Sequence, residues 1–139
     1  MTQPKENRLT VLVVDDNPDV RDSLFQWLRR YNIQALQAAN GSDAVKILQR
    51  EYVDLLVTDL VMPEKEGLET ITWVKANKPA VKIFAMSGSG SLLNTSIYLS
   101  LAQKLGAHAI LQKPFDLEEL KGLLNYHFKF ACNETNSSE

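Results

Sequence analysis

Short apolar runs alternate along the chain with segments whose apolar residues recur at helical spacing. The first run, Leu9 to Val14, is apolar almost throughout, the pattern of a strand covered on both faces. Asp15-Asp16-Asn17 ends it. Asn17 before Pro18 reads as an N-cap followed by a first-turn proline. Val20, Leu24, Trp27, Leu28 and Tyr31 then share one helical face. Ile33 to Ala38 is a more polar run and is predicted to lie at a sheet edge. Gly41-Ser42 opens a short helix through Ala44, Ile47 and Leu48. Val53 to Leu60 is a third strand with Asp59 near its end. Met62-Pro63 and Gly67 mark a turn, and Leu68, Ile71 and Val74 a helix that stops near Asn77-Lys78-Pro79. Val81 to Met86 is the fourth strand, and residues 87–91 read as a Ser/Gly loop. Leu93, Ile97, Leu101, Ala102 and Leu105 stripe a fourth helix, closed by Gly106 at C′. Ala107 to Gln112 is the last strand. Asp116 and Glu119 have capping-box spacing, and Leu117, Leu120, Leu124 and Phe128 stripe the helix that follows.

Five strand–helix units in this order predict an α/β fold around a parallel sheet, with right-handed crossovers placing helices on both faces. The domain is expected over residues 8–130, with a polar extension at 1–7 and a polar, frayed tail at 131–139. The 139 residues suit one domain, and a hydrophobic share of 45% is ordinary for a globular protein. The net charge of −2 comes with no basic tract, so a grip on nucleic-acid phosphates is not expected. Cys132 has no second cysteine to pair with. There is no signal-peptide pattern and no apolar run near the roughly 20 residues that cross a bilayer. The expectation is therefore a cytoplasmic protein with no membrane partner.

In such sheets ligand sites form beyond the carboxyl ends of the strands. Those ends carry Asp15-Asp16, Asp59, Ser87 and Lys113-Pro114. Three carboxylates gathered on one rim repel one another unless a cation joins them. A hard divalent ion with oxygen ligands answers this, and Mg²⁺ fits best because it accepts one or two carboxylates and keeps waters that a phosphoryl oxygen can replace. A carboxylate can itself attack phosphorus. Lys113 can then neutralise charge on the phosphoryl group and Ser87 can donate to it.

The ordered set of Asp15-Asp16, Asp59, Met62-Pro63 with Gly67, Ser87 and Lys113-Pro114-Phe115, each at a strand end, resembles the response-regulator receiver family over about residues 8–128. The resemblance implies a flavodoxin-like doubly wound (βα)5 fold with strand order 2-1-3-4-5. It makes Asp59 the phospho-acceptor, with Mg²⁺ held by Asp15, Asp16, Asp59 and the main-chain carbonyl of Val61. Ser87 becomes the hydroxyl switch residue, Lys113 the phosphate partner and Lys113-Pro114 a cis-peptide candidate. Three departures stand out. Ile110 occupies the position where the family usually has a switching aromatic; Tyr98 is a conceivable substitute. The stretch from Ser87 to Lys113 is longer than usual, which predicts a mobile loop before the fourth helix. Val61 and Ser89 occupy the positions that tune phosphoryl lifetime, and an apolar Val61 points to a longer one.

The implied protein is a stand-alone receiver, not an enzyme beyond self-phosphorylation and autodephosphorylation. Its partners would be a sensor histidine kinase or phosphotransfer protein and a downstream protein reading the face of the fourth helix, fifth strand and fifth helix. A monomer or weak dimer is expected. Two rivals are a receiver-like interaction module that is never phosphorylated and an aspartyl-nucleophile phosphohydrolase. Val61 argues against the latter, since such enzymes usually have a second acid there. A Ser–His–Asp reading with His108 fails because His108 begins the fifth strand, at the far end of the sheet. His127, Trp27 and Trp73 read as packing or surface residues.

Overall fold

The structure, a computed structural model, describes residues 8–60, 66–87, 100 and 103–129. Five parallel strands, β1 (Thr10–Val14), β2 (Gln34–Ala38), β3 (Leu55–Asp59), β4 (Lys82–Ser87) and β5 (Ala109–Gln112), form one sheet in the order β2-β1-β3-β4-β5. The expected topology is therefore the observed one, and the more polar β2 does lie at an edge. The sheet is continuous in register: Val13 pairs with Gln37 and Val57, and Asp59 with Met86.

The apolar strands have no solvent face, so their period-2 alternation divides residues between two cores. On one side, Val11 and Val13 of β1, Leu55 and Val57 of β3, Phe84 and Met86 of β4 and Leu111 of β5 are covered by two helices. These are α1 (Pro18–Arg30), through Leu24, Trp27 and Leu28, and the C-terminal helix (Leu117–Phe128), through Leu120 and Leu124. On the other, Leu12, Val14, Leu56, Ile83 and Ala85 meet α2 (Gly41–Arg50) and α3 (Glu66–Asn77) through Ala44, Leu48, Ile71 and Val74.

The helix ends follow local chemistry. Asn17, Asn40 and Asp116 each cap a helix by accepting a backbone N–H, from Asp19, Asp43 and Glu118 respectively. The capping box expected at Asp116 takes a different form. Its side chain bonds the Glu118 N–H, while the Glu119 N–H goes to the Asp116 carbonyl. Leu117 also departs from the predicted stripe, being 37% exposed. It lines an open groove together with Val20, Leu24 and Phe115. Gly106 adopts a left-handed φ of 87°, the C′ geometry its position predicted. The helical stripe at 93–102, the loop after Ser87, Tyr98, Ser89, Val61, Cys132 and both proposed terminal segments lie wholly or largely outside the described residues.

Candidate functional site

Four of the five strands deliver a polar residue to the carboxyl edge. β1 runs into Asp15 and Asp16, β3 ends on Asp59, β4 on Ser87, and β5 leads into Lys113. The Asp15, Asp16 and Asp59 carboxylates each offer an oxygen within 4.8 Å of the others. Asp15 and Asp59 are buried, 0% and 5% exposed, and Asp16 is open to solvent. Oxygen donors this close, two of them desolvated, fit a hard divalent cation such as Mg²⁺.

Lys113 sits inside this acidic group. Its Nζ lies 2.7 Å from Asp15 Oδ2 and 3.2 Å from Asp59 Oδ2. Sequence reasoning gave this ammonium a phosphoryl group to neutralise; here it bridges two of the carboxylates. Burial alone would lower its pKa, but the hydrogen bond to Asp15 and the charges of Asp59 and Asp15 outweigh that and hold it above the usual lysine range. The Lys113–Pro114 peptide is cis, and the Lys113 N–H donates to the Ser87 carbonyl at 2.8 Å, tying β5 to β4 at the edge.

Local folding fixes the two buried acids. The Oδ1 of Asp15 accepts the Asn17 N–H at 2.9 Å, a side-chain turn that closes the β1–α1 corner. Asp59 is held through its main chain. The Leu60 N–H donates to the Met86 carbonyl at 2.7 Å on one side. On the other, a Cβ at Gly67 would overlap the Asp59 carbonyl oxygen and lie 2.9 Å from Leu60 Cα, so α3 rests directly on this segment only because residue 67 is glycine. Ser87 is 1% exposed, and among the described residues its Oγ has no hydrogen-bond partner. Ile110, two residues before Gln112, is half-buried against the α2–α3 core.

Two contributors escaped the sequence reading. Arg21 donates Nη1 to the Asp15 carbonyl at 2.8 Å and Nε to Gln37 Oε1 at 3.1 Å. The available signal was position: an arginine one turn into α1, whose side chain leans back toward the helix start, reaches the end of the preceding strand. Beside Lys113 lies a groove of about 610 Å³ lined by α1 and the Pro114–Leu117 corner, with Val20, Leu24, Phe115 and Leu117 as its apolar wall. Among the described residues no helix is long and apolar enough to cross a membrane.

Comparison with known proteins agrees with this fold. The family model of the response regulator receiver domain matches residues 11–125. The response regulator protein PilR of Pseudomonas aeruginosa is 35% identical over 118 residues, 85% of this chain but 26% of PilR, so the chain spans about a quarter of that relative's length. A response regulator receiver protein from Pseudomonas putida superposes with a TM-score of 0.75 at 32% identity, covering 86% of this chain and 97% of the other. A chain from the Saccharomyces cerevisiae complex of the histidine phosphotransfer signalling protein Ypd1 with the receiver domain of its downstream response regulator Ssk1 gives a TM-score of 0.75 at 25% identity, covering 85% and 87%. A five-stranded sheet of order 2-1-3-4-5, an acidic edge closed by a lysine and a family match spanning most of the sequence lead to one conclusion: the chain belongs to the response regulator receiver domain family of two-component signalling.

Proposed function

We propose that this chain is a phosphorylation switch in which Asp59 accepts a phosphoryl group from a histidine kinase or a phosphohistidine protein. The observation that carries this is the convergence of Asp15, Asp16 and Asp59 within 4.8 Å, with Lys113 bonded to two of them. Receivers as a family are phosphorylated on aspartate with Mg²⁺ and act as signalling domains, not as enzymes with outside substrates. Asp15, Asp16 and Asp59 would hold the ion here together with the Val61 carbonyl, and the bound ion would supply charge neutralisation for the phosphoryl oxygens.

The chain's own residues then divide the work. The Asp59 carboxylate attacks phosphorus; an O–P bond forms, the N–P bond of the donor breaks, and the leaving imidazole takes up a proton. Lys113 remains charged and transfers its contacts from the carboxylates to a phosphoryl oxygen. The Ser87 hydroxyl, poised at the end of β4, donates to another. The phosphoryl group adds negative charge and acceptor oxygens at the sheet edge, and that local change biases the surface a downstream protein reads. The groove between α1 and the Pro114–Leu117 corner opens beside Lys113, which suits a donor protein that must bring its phosphohistidine to Asp59. The complex of Ypd1 with the Ssk1 receiver domain is a related pairing.

The test is incubation with acetyl phosphate and Mg²⁺, read by intact mass. Wild type should gain one phosphate and Asp59→Asn none. An unmodified wild type would instead favour a receiver-like module that works without phosphorylation. Ile110 lends weight to that second reading, because a half-buried branched aliphatic cannot make the swing of an aromatic ring.

A further inference from the structure

All four polar groups of Asp15 are engaged. Its N–H donates to the Ala38 carbonyl at 3.2 Å, Oδ1 accepts the Asn17 N–H, Oδ2 accepts Lys113 Nζ, and its carbonyl accepts Arg21 Nη1 at 2.8 Å. The last bond differs in kind. That oxygen belongs to the rigid peptide plane joining Asp15 to Asp16, the two neighbouring carboxylates of the acidic group. Turning this plane changes ψ of Asp15 and φ of Asp16 together. It therefore swings the Asp16 carboxylate and the Asn17 N–H relative to Asp15.

The guanidinium that holds the plane is itself held. Its Nε donates to Gln37 Oε1 at 3.1 Å, and Gln37 stands opposite Val13 in the β1–β2 ladder. A planar group with donors at fixed angles thus ties α1 to the ends of two strands, which a single flexible donor cannot do. Arg21 touches neither carboxylate of the pair through any bond described above. Its positive charge also works against cation binding nearby, so charge and geometry make opposite demands on the same variant.

We infer that Arg21 is a positioning residue for the Mg²⁺ pocket, locking the Asp15–Asp16 peptide so that both carboxylates face Asp59. This deepens the reading under Proposed function and rests on it. Groups that orient metal ligands from behind typically matter about 10- to 100-fold in affinity.

The experiment titrates Mg²⁺ into wild type, Arg21→Ala, Arg21→Lys and Gln37→Ala by calorimetry, with the Asp16 and Asn17 amides followed by NMR and folding checked by urea denaturation. Arg21→Ala should bind Mg²⁺ about tenfold more weakly, with both amide signals displaced before any Mg²⁺ is added. Arg21→Lys, which keeps one donor for the Asp15 carbonyl, should recover part of the loss. Gln37→Ala, which frees the guanidinium but keeps it, should weaken binding by a smaller factor of the same sign. A folded Arg21→Ala that binds Mg²⁺ as well as or better than wild type overturns the inference. If Arg21→Ala does not fold, unchanged binding by Gln37→Ala overturns it. A wild type that binds Mg²⁺ but takes no phosphoryl group defeats the proposed function alone, and the Arg21 comparison still decides. A wild type that binds no Mg²⁺ defeats both.

Discussion

The two ends of the sheet use polar side chains in opposite ways. At the amino end, Asp54 Oδ2 accepts the Thr10 N–H at 2.9 Å, and the Asp54 N–H returns to the Thr10 carbonyl at 2.9 Å. His108 repeats the arrangement between β4 and β5, its Nδ1 accepting the Ile83 N–H at 3.0 Å and its own N–H donating to the Ile83 carbonyl at 2.7 Å. Both side chains finish a backbone ladder where the strand partner runs out. At the carboxyl end, Asp15, Asp16 and Asp59 meet one another, Lys113 bridges Asp15 and Asp59, and Ser87 is buried at the end of β4. Polar groups spent on the main chain stabilise the fold. Polar groups gathered against each other cost stability and confer chemistry.

The largest expected effect breaks the carboxyl end. Lys113→Met removes the ammonium that bridges Asp15 and Asp59. Removing one partner of a buried ion pair costs several kcal/mol, and the partly open mouth places this case near the lower bound, about 3 kcal/mol. Urea denaturation without metal should show that loss. Mg²⁺ should restore more stability to the variant than to wild type, since it no longer competes with Nζ for the same oxygens. Equal stabilisation of the two proteins by Mg²⁺ would contradict the competition.

A smaller effect is expected at the amino end. Asp54→Ala orphans the Thr10 N–H and should cost about 1–2 kcal/mol. Its Mg²⁺ affinity should match wild type by calorimetry. A change in affinity there would mean that the two ends are coupled and that the contrast between them is too simple.

How far the contrast was legible in the sequence depends on the kind of contact. The strands were plain because parallel buried strands are apolar on both faces, as in Val11–Val14 and Leu55–Val57. Asn17 as a cap and Gly106 as a C′ residue follow from local chemistry. Topology alone brings Asp15, Asp59, Ser87 and Lys113 to one edge, so the site could be assembled without distances. What escaped are bonds between side chains and the backbone of another element: Arg21 to the Asp15 carbonyl, for which position was the one signal, and Ile83 N–H to His108. No periodicity encodes them. The exposure of Leu117 was missed because a helical stripe does not say which of its residues meet the core and which line an open groove.

The smallest effect sharpens the amino end through pH. A nitrogen that accepts the Ile83 N–H must be unprotonated, so the bond exists only while His108 is neutral. Desolvation, then the charges of Lys82 and Lys75, hold its pKa below the ordinary histidine value, and desolvation and Lys82 do the same to His127, whose ring stands edge-on 6.1 Å away. Above about pH 6.5 both rings are neutral in either state and the fold has its full stability. As pH falls from there toward the lower folded values, the unfolded chain takes up protons first, so stability declines; below the folded values it falls no further on this account. His108 is exposed and screened, so its share should stay under about 1 kcal/mol. His108→Asn offers an amide oxygen that accepts a hydrogen bond at any pH. It should flatten the decline below about pH 6.5 in urea denaturation, leaving only the part due to His127. Mg²⁺ affinity at pH 7 should be unaltered, because the residues that hold the ion stand at the opposite edge. A decline as steep as wild type's would mean that the Ile83 bond contributes nothing to the ladder.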